Sequence, residues 1–180
     1  MSEGNSAYQA LVAISQQVRQ SAKGLPSQVD ITPHWSGVGF SLMGHRFVVP
    51  MGQITEMLEV PSYTRLPSVQ RWVRGVANVR GRLLPIFDLA DFFNDKLAIA
   101  RKPRRILVLE SDDLYSGLMV DAVFGMQHFP IDTFSTETSE VPESLWDFVA
   151  GSYGLGKNRW SLFDIEKLAQ DPRFINAAVG

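Results

Sequence analysis

The residues best spaced for chemistry lie at 151–158, Gly-Ser-Tyr-Gly-Leu-Gly-Lys-Asn, which follow the phosphate-loop pattern G-x-x-x-x-G-K-[ST] up to its last position. In such a loop backbone N–H groups cradle phosphates, and a hydroxyl after the lysine holds magnesium. A helix must start directly afterwards. Asn158 has no hydroxyl, and the run Arg159-Trp-Ser-Leu-Phe163 reads as a strand. Nucleotide binding is not expected here. The three histidines, His34, His45 and His128, are too far apart to show ligand spacing. Gly39-Phe-Ser-Leu-Met43 fails the nucleophile-elbow pattern at its final position. With no cysteine, thiolate nucleophiles, thiolate zinc sites and disulfides are excluded. The pairs Asp88/Asp91 and Asp112/Asp113 could do acid–base work. Asp112-Asp113 makes a natural turn, however, and Asp88 falls where a strand gives way to a helix, a capping position. No catalytic set, metal site or cofactor site emerges, so the chain reads as a non-enzyme.

The elements around these residues belong to an ordinary globule. In 180 residues, 45% are apolar and 20% charged, and the formal net charge of −2 gives no pull toward nucleic acid. The N-terminus lacks the basic region and apolar core of a signal peptide, and nowhere do 18 apolar residues run together. The expected location is the cytoplasm. Residues 5–23 predict an amphipathic helix with Tyr8, Leu11, Val12, Val18 and Ala22 on one face, closed by Gly24 and Pro26. Its apolar face must either pack or bind a partner. A polar tether, roughly 27–36, follows.

From Val38 onward the period shortens to that of strands. Residues 39–51 predict a hairpin turning at Gly44-His45, residues 76–89 one turning at Gly81, and residues 104–126 one turning at Asp112-Asp113. Short helical pieces are expected over 69–74, 89–96, 143–149 and 165–170. Short strands broken by Gly, Asp and Pro indicate a small barrel or sandwich. The tryptophans 35, 72, 146 and 160 are expected in the core or closing a barrel. Arg101-Lys-Pro-Arg-Arg105 reads as a solvated connector.

An internal repeat is the most informative feature. Trp72-Val-Arg-Gly75 aligns with Phe148-Val-Ala-Gly151, and Ile86-Phe-Asp-Leu89 with Leu162-Phe-Asp-Ile165, both at an offset of 76. Upstream the offset is 69, pairing 49–54 with 118–123. Two copies of one β unit, about 38–97 and 104–170, predict two similar barrels related by a pseudo-twofold. Charge is uneven. Residues 61–82 carry five arginines (65, 71, 74, 80, 82) and no acid, whereas 106–156 carry nine acids and no Lys or Arg. Such zones suit docking on complementary partners.

The string Val73-Arg-Gly-Val-Ala-Asn-Val-Arg-Gly-Arg-Leu-Leu-Pro-Ile-Phe-Asp-Leu89 closely resembles the central motif of CheW-like domains. The segments 48–69 and 117–126 resemble the family's first-barrel strands and its G-[LI]-x-V-D-x-V strand. The resemblance covers about residues 37–170, leaving 1–36 as helix and tether and 171–180 as a tail. The run at 77–86, that at 123–135 and the N-terminal helix look most like the CheW-like adaptors that control type IV pilus twitching motility.

This resemblance implies a mainly β fold of two interlinked SH3-like five-stranded barrels with short connecting helices. It implies a non-enzymatic adaptor that joins chemoreceptor cytoplasmic tips to the regulatory domain of a CheA-type histidine kinase, at receptor arrays on the inner membrane but without inserting in it. By motif position, Ile54, Glu56, Gly75, Asn78 and Arg80 match functional positions of the family, and Val120 and Val123 match second-barrel groove positions. Arg80 is then expected to face a partner. The structural alternative is that it pairs with Glu56 or Asp88. The second Gly-rich turn, 151–160, and the extra N-terminal helix depart from the family pattern. The competing reading is a small-ligand- or nucleotide-binding β barrel unrelated to signalling.

Overall fold

The computed structural model describes residues 9–15, 32–96, 104–110, 114–138 and 140–177, and the chain divides into two units, Met1–Thr32 and Pro33–Gly180. In the first unit, residues 9–15 form helix α1, with Leu11, Val12 and Ile14 exposed. The remainder of the predicted helix, including Tyr8, Val18 and Ala22, lies outside the described residues.

The second unit opens with strands β1 (His34–Leu42), β2 (His45–Pro50), β3 (Ile54–Glu59), β4 (Val73–Val79) and β5 (Arg82–Asp88), followed by helix α2 (Leu89–Phe92). The same order then recurs. Strands β6 (Arg105–Glu110), β7 (Tyr115–Val120), β8 (Ala122–Pro130), β9 (Val149–Leu155) and β10 (Asn158–Phe163) lead into α3 (Ile165–Gln170) and α4 (Pro172–Ile175). Two five-stranded sheets result, ordered β8-β1-β2-β10-β9 and β3-β6-β7-β5-β4. In each, one pairing is parallel (β2 with β10, β7 with β5) and the rest are antiparallel.

The two sheets therefore have one topology, as the repeat predicts, but neither sheet is a sequence half. The first sheet takes β1–β2 from the first half and β8–β10 from the second. The other takes β3–β5 and β6–β7. The short link from β2 to β3 carries the chain across, and Val120 passes to Ala122 in the same way. The equivalence reaches the register: Val48 opposes Leu162 as Gly117 opposes Ile86, which is the pairing that offsets of 69 and 76 require.

Local chemistry explains the turns and caps. The first hairpin turns on Met43 and Gly44, with φ of 52° and 81°, one residue before the expected Gly44-His45; β4–β5 turns on Arg80 and Gly81, at 52° and 82°. Two positive φ values suit the right-handed twist of paired strands. The predicted Asp112-Asp113 turn lies outside the described residues. The Asp88 carboxylate caps α2 by accepting from the Asp91 N–H at 3.1 Å, and Asp164, its repeat mate, caps α3 through the Lys167 N–H at 3.1 Å. Helix is absent at 69–74: Arg71 and Trp72 form a turn that runs straight into β4. Trp72 is buried because its ring packs on Phe87, Phe92 and Phe174, so packing rather than helix periodicity sets its place.

Phe174 belongs to α4, within the predicted tail. Hydrogen bonds from Arg173 hold the Asp171 carboxyl at its start below the usual range. A lowered folded-state pKa stabilises above the ordinary carboxylate range and fades only as pH falls through the lowered value. The main core spans both sheets, and within it the rings of Phe40, Phe47, Phe93, Phe148 and Phe163 meet at 5.2–6.5 Å. A smaller aromatic core gathers Phe129, Tyr153 and Trp160, with Trp35 stacked on Tyr153. Gly39 makes room for it, since a Cβ there would stand 2.6 Å from the Trp160 ring. Trp146 is the exception to the expected burial, 47% exposed with its indole N–H donating to the Val141 carbonyl.

Phe163 meets the rings of Phe40, Phe47, Phe93 and Phe148, so Phe163→Ala should cost about 3–5 kcal/mol. Urea unfolding should show a lower midpoint and an unchanged slope.

Candidate partner-binding surface

The residues matched by motif fall mostly on one sheet. Ile54 and Glu56 lie on β3, Gly75 and Asn78 on β4, and Arg80 in the β4–β5 turn. β3 and β4 are the two edges of that sheet, yet the Arg80 guanidinium sits 2.6 Å from a Glu56 carboxylate oxygen. The sheet therefore curls until its edges meet. Arg80 has a backbone conformation uncommon for a side-chain-bearing residue. Asn78 holds the turn in that shape, its side-chain oxygen accepting from the Gly81 N–H at 2.9 Å.

The remaining matches separate into surface and interior. Ile54 is half-buried against the core, and Val123, its mate at the offset of 69, is half-buried in the same way on β8 of the other sheet. Val120 is fully buried and offers no face to a partner, which corrects its assignment to a groove. It ends β7 facing the core because the chain crosses between sheets directly after it. Gly75 is also buried, and a Cβ there would collide with the Thr64 carbonyl oxygen. Its role is to let residues 64–65 pass.

Electrostatics correct the picture of a bare basic zone. Arg71 pairs with Asp91 at 2.8 Å, Arg74 with Asp88 at 2.5 Å, Arg80 with Glu56, and Arg82 with Glu110 at 2.7 Å while lying over the Tyr115 ring. Arg82–Glu110 joins the arginine-rich segment to the acid-rich one within a single sheet. These pairs differ in weight. The Arg80 side chain is 78% exposed, so its pair contributes at most about 1 kcal/mol. Asp88 is buried and also caps α2, so losing its partners leaves an uncompensated charge. Arg80 thus pairs with Glu56, as the structural alternative has it, but weakly enough to leave its surface open.

Sequence reasoning missed several exposed apolar side chains, among them Leu83 (70% exposed) on β5 and Phe124 and Met126 on β8. Phe124 meets the Trp160 ring edge-on and Arg46 lies over both rings. The alternation Phe124, Met126, His128 was the available signal. The segment 151–158 lies in the β9–β10 hairpin, without the helix N-terminus a phosphate loop needs. Among the described residues no group of three or more His, Cys, Asp or Glu could hold a metal ion, and no helix is long and apolar enough to cross a membrane.

Residues 36–173 match the CheW-like domain family. The chain belongs to that family. It is 48% identical to the protein PilI of Pseudomonas aeruginosa over 179 residues, covering 99% of this chain and 100% of PilI. It is 29% identical to the chemotaxis protein CheW of Helicobacter pylori over 133 residues, 74% of this chain and 78% of that one. The fold matches the crystal structure of the scaffolding protein TtCheW from Thermoanaerobacter tengcongensis with a TM-score of 0.63 at 23% identity, over 73% of this chain and 90% of that chain.

The burial difference gives a paired expectation. Arg74→Ala, which leaves Asp88 buried without its partner, should destabilise the fold by about 3 kcal/mol, whereas Arg80→Ala should cost less than about 1 kcal/mol. Equal midpoints in chemical denaturation would contradict it.

Proposed function

We propose that this chain is a non-enzymatic adaptor that couples chemoreceptors to a CheA-type histidine kinase and controls type IV pilus twitching motility. The full-length likeness to PilI carries the reading. The structure supports it in physical terms. The family-matched Glu56, Asn78 and Arg80 cluster at the surface where one sheet closes, within reach of a docking protein. Ile54 lies on β3 with Glu56, and Val123 holds the equivalent position on β8 of the other sheet. Val120 and Gly75 act on such a surface from within, by packing and by clearance. The adaptor works in the cytoplasm, at receptor arrays on the inner membrane.

A scaffold of this kind uses buried area and matched charge rather than reacting groups. The competing nucleotide-binding reading rests on Gly151–Asn158, which forms strand, turn and strand. Titration calorimetry with magnesium-ATP should give no heat of binding. Micromolar binding that disappears in Lys157→Ala would favour the competing reading.

The direct test is capture of the kinase regulatory domain and of a receptor cytoplasmic tip by the full chain. Arg80→Glu places a second acid against Glu56. It should fold, with a melting curve close to that of the wild type, and bind more weakly, because like charges across an interface cost several kcal/mol. Twitching should fall in parallel. Wild-type capture of both partners by this variant would remove Arg80 from the interface.

A further inference from the structure

Arg65 stands apart from the other arginines of its segment. Arg71, Arg74, Arg80 and Arg82 each reach a carboxylate, and Arg65 reaches none among the described residues. It is exposed, beside Leu66, which is 43% exposed. Yet it does not sit on a loose loop. Thr64 and Val76 exchange two backbone hydrogen bonds of 2.9 Å each, which pins the loop to the outer edge of β4.

Gly75 makes that attachment possible. Its φ is +142°, a region side chains rarely adopt, and a Cβ there would strike the Thr64 carbonyl and lie 3.1 Å from the Arg65 Cα. The second half repeats the device with different cargo. Ser135 and Ser152 form the equivalent bridge, and Gly151 clears a path for Phe134 and Ser135. That loop presents half-exposed Phe134 between Asp132 and Glu137, while the first presents Arg65 and Leu66. Shared construction with unlike side chains separates what holds a loop from what the loop displays.

We propose that Arg65, seated by Gly75, is the recognition cation of this surface and takes a carboxylate on a protein partner, with Leu66 covering an adjacent apolar side chain. The inference rests on the adaptor reading and names the charged contact within it. A guanidinium already committed to Glu56 or Asp88 must give up that partner to bind another acid, whereas Arg65 gives up only water. Planar guanidinium binds carboxylate through two parallel N–H bonds. A lone unpaired cation among neutralised neighbours does not suit a lipid surface, which calls for clusters of 4–8 basic residues. Gly75 is a positioning residue, acting through the loop.

The test uses the full chain with the kinase regulatory domain and the receptor cytoplasmic tip as probes, in calorimetry and pull-down. Arg65→Glu should fold as the wild type does and lose at least tenfold in affinity for one probe. Arg65→Lys should retain part of that affinity, since it keeps charge but not the planar fork. Gly75→Ala should weaken the same probe and no other. A second readout is salt: wild-type affinity for that probe should fall as salt rises, and that of Arg65→Glu should fall less. Wild-type affinity in Arg65→Glu for both probes overturns the proposal while leaving the adaptor reading intact. Failure of the wild type to bind either probe overturns both. Co-sedimentation of the wild type, but not Arg65→Glu, with vesicles containing anionic lipid would assign the cation to a membrane and also overturn it.

Discussion

The exchange of strands between the two sequence halves is the constraint on which the rest of the structure depends. Each sheet is completed by one parallel pairing, β2 with β10 or β7 with β5, that joins residues distant in the chain, Val48 with Leu162 in one and Ile86 with Gly117 in the other. Neither half can bury its own strands without the other, so the core is continuous across both sheets. The aromatic chain from Phe40 through Phe163 to Phe148 and Phe93 fills that shared space. Non-local pairing of this kind is slow to form, because loop closure precedes the contacts that reward it.

Charge is organised by the same closure. Glu56 and Arg80 come from opposite edges of one sheet and meet only because the sheet curls. Glu110 and Arg82 come from different halves and meet only because β6, β7 and β5 share that sheet. Most of the arginine-rich segment is thus neutralised internally, in pairs that range from the buried Asp88 to the open Arg80. That internal pairing leaves the segment little net attraction for anions at large.

Buried residues bear on the surface indirectly. Gly75 and Val120 are buried, so neither can touch a partner. One gives clearance to a loop and the other fills the core where the chain changes sheets. Function at such positions is carried by geometry, through the residues they place.

The sequence alone determined the mainly β class, the repeat and its two offsets, the capping role of Asp88, the absence of a hydroxyl after Lys157, and the family motif at 73–89. These are legible because they depend on residue type and short-range order, as turns, caps and strand alternation do. Tertiary structure decided what depends on contacts between distant segments. It put Trp72 in a turn packed by Phe174 rather than on a helix, left Trp146 half-exposed, and buried Val120. It dealt β1–β2 and β3–β5 into different sheets, which no local pattern encodes because hydrogen-bond edges carry no sequence label. It also chose partners for the arginines. Five guanidiniums in a row look alike in a sequence, and only the positions of Asp88, Asp91, Glu56 and Glu110 in space distinguish the four that are occupied from Arg65.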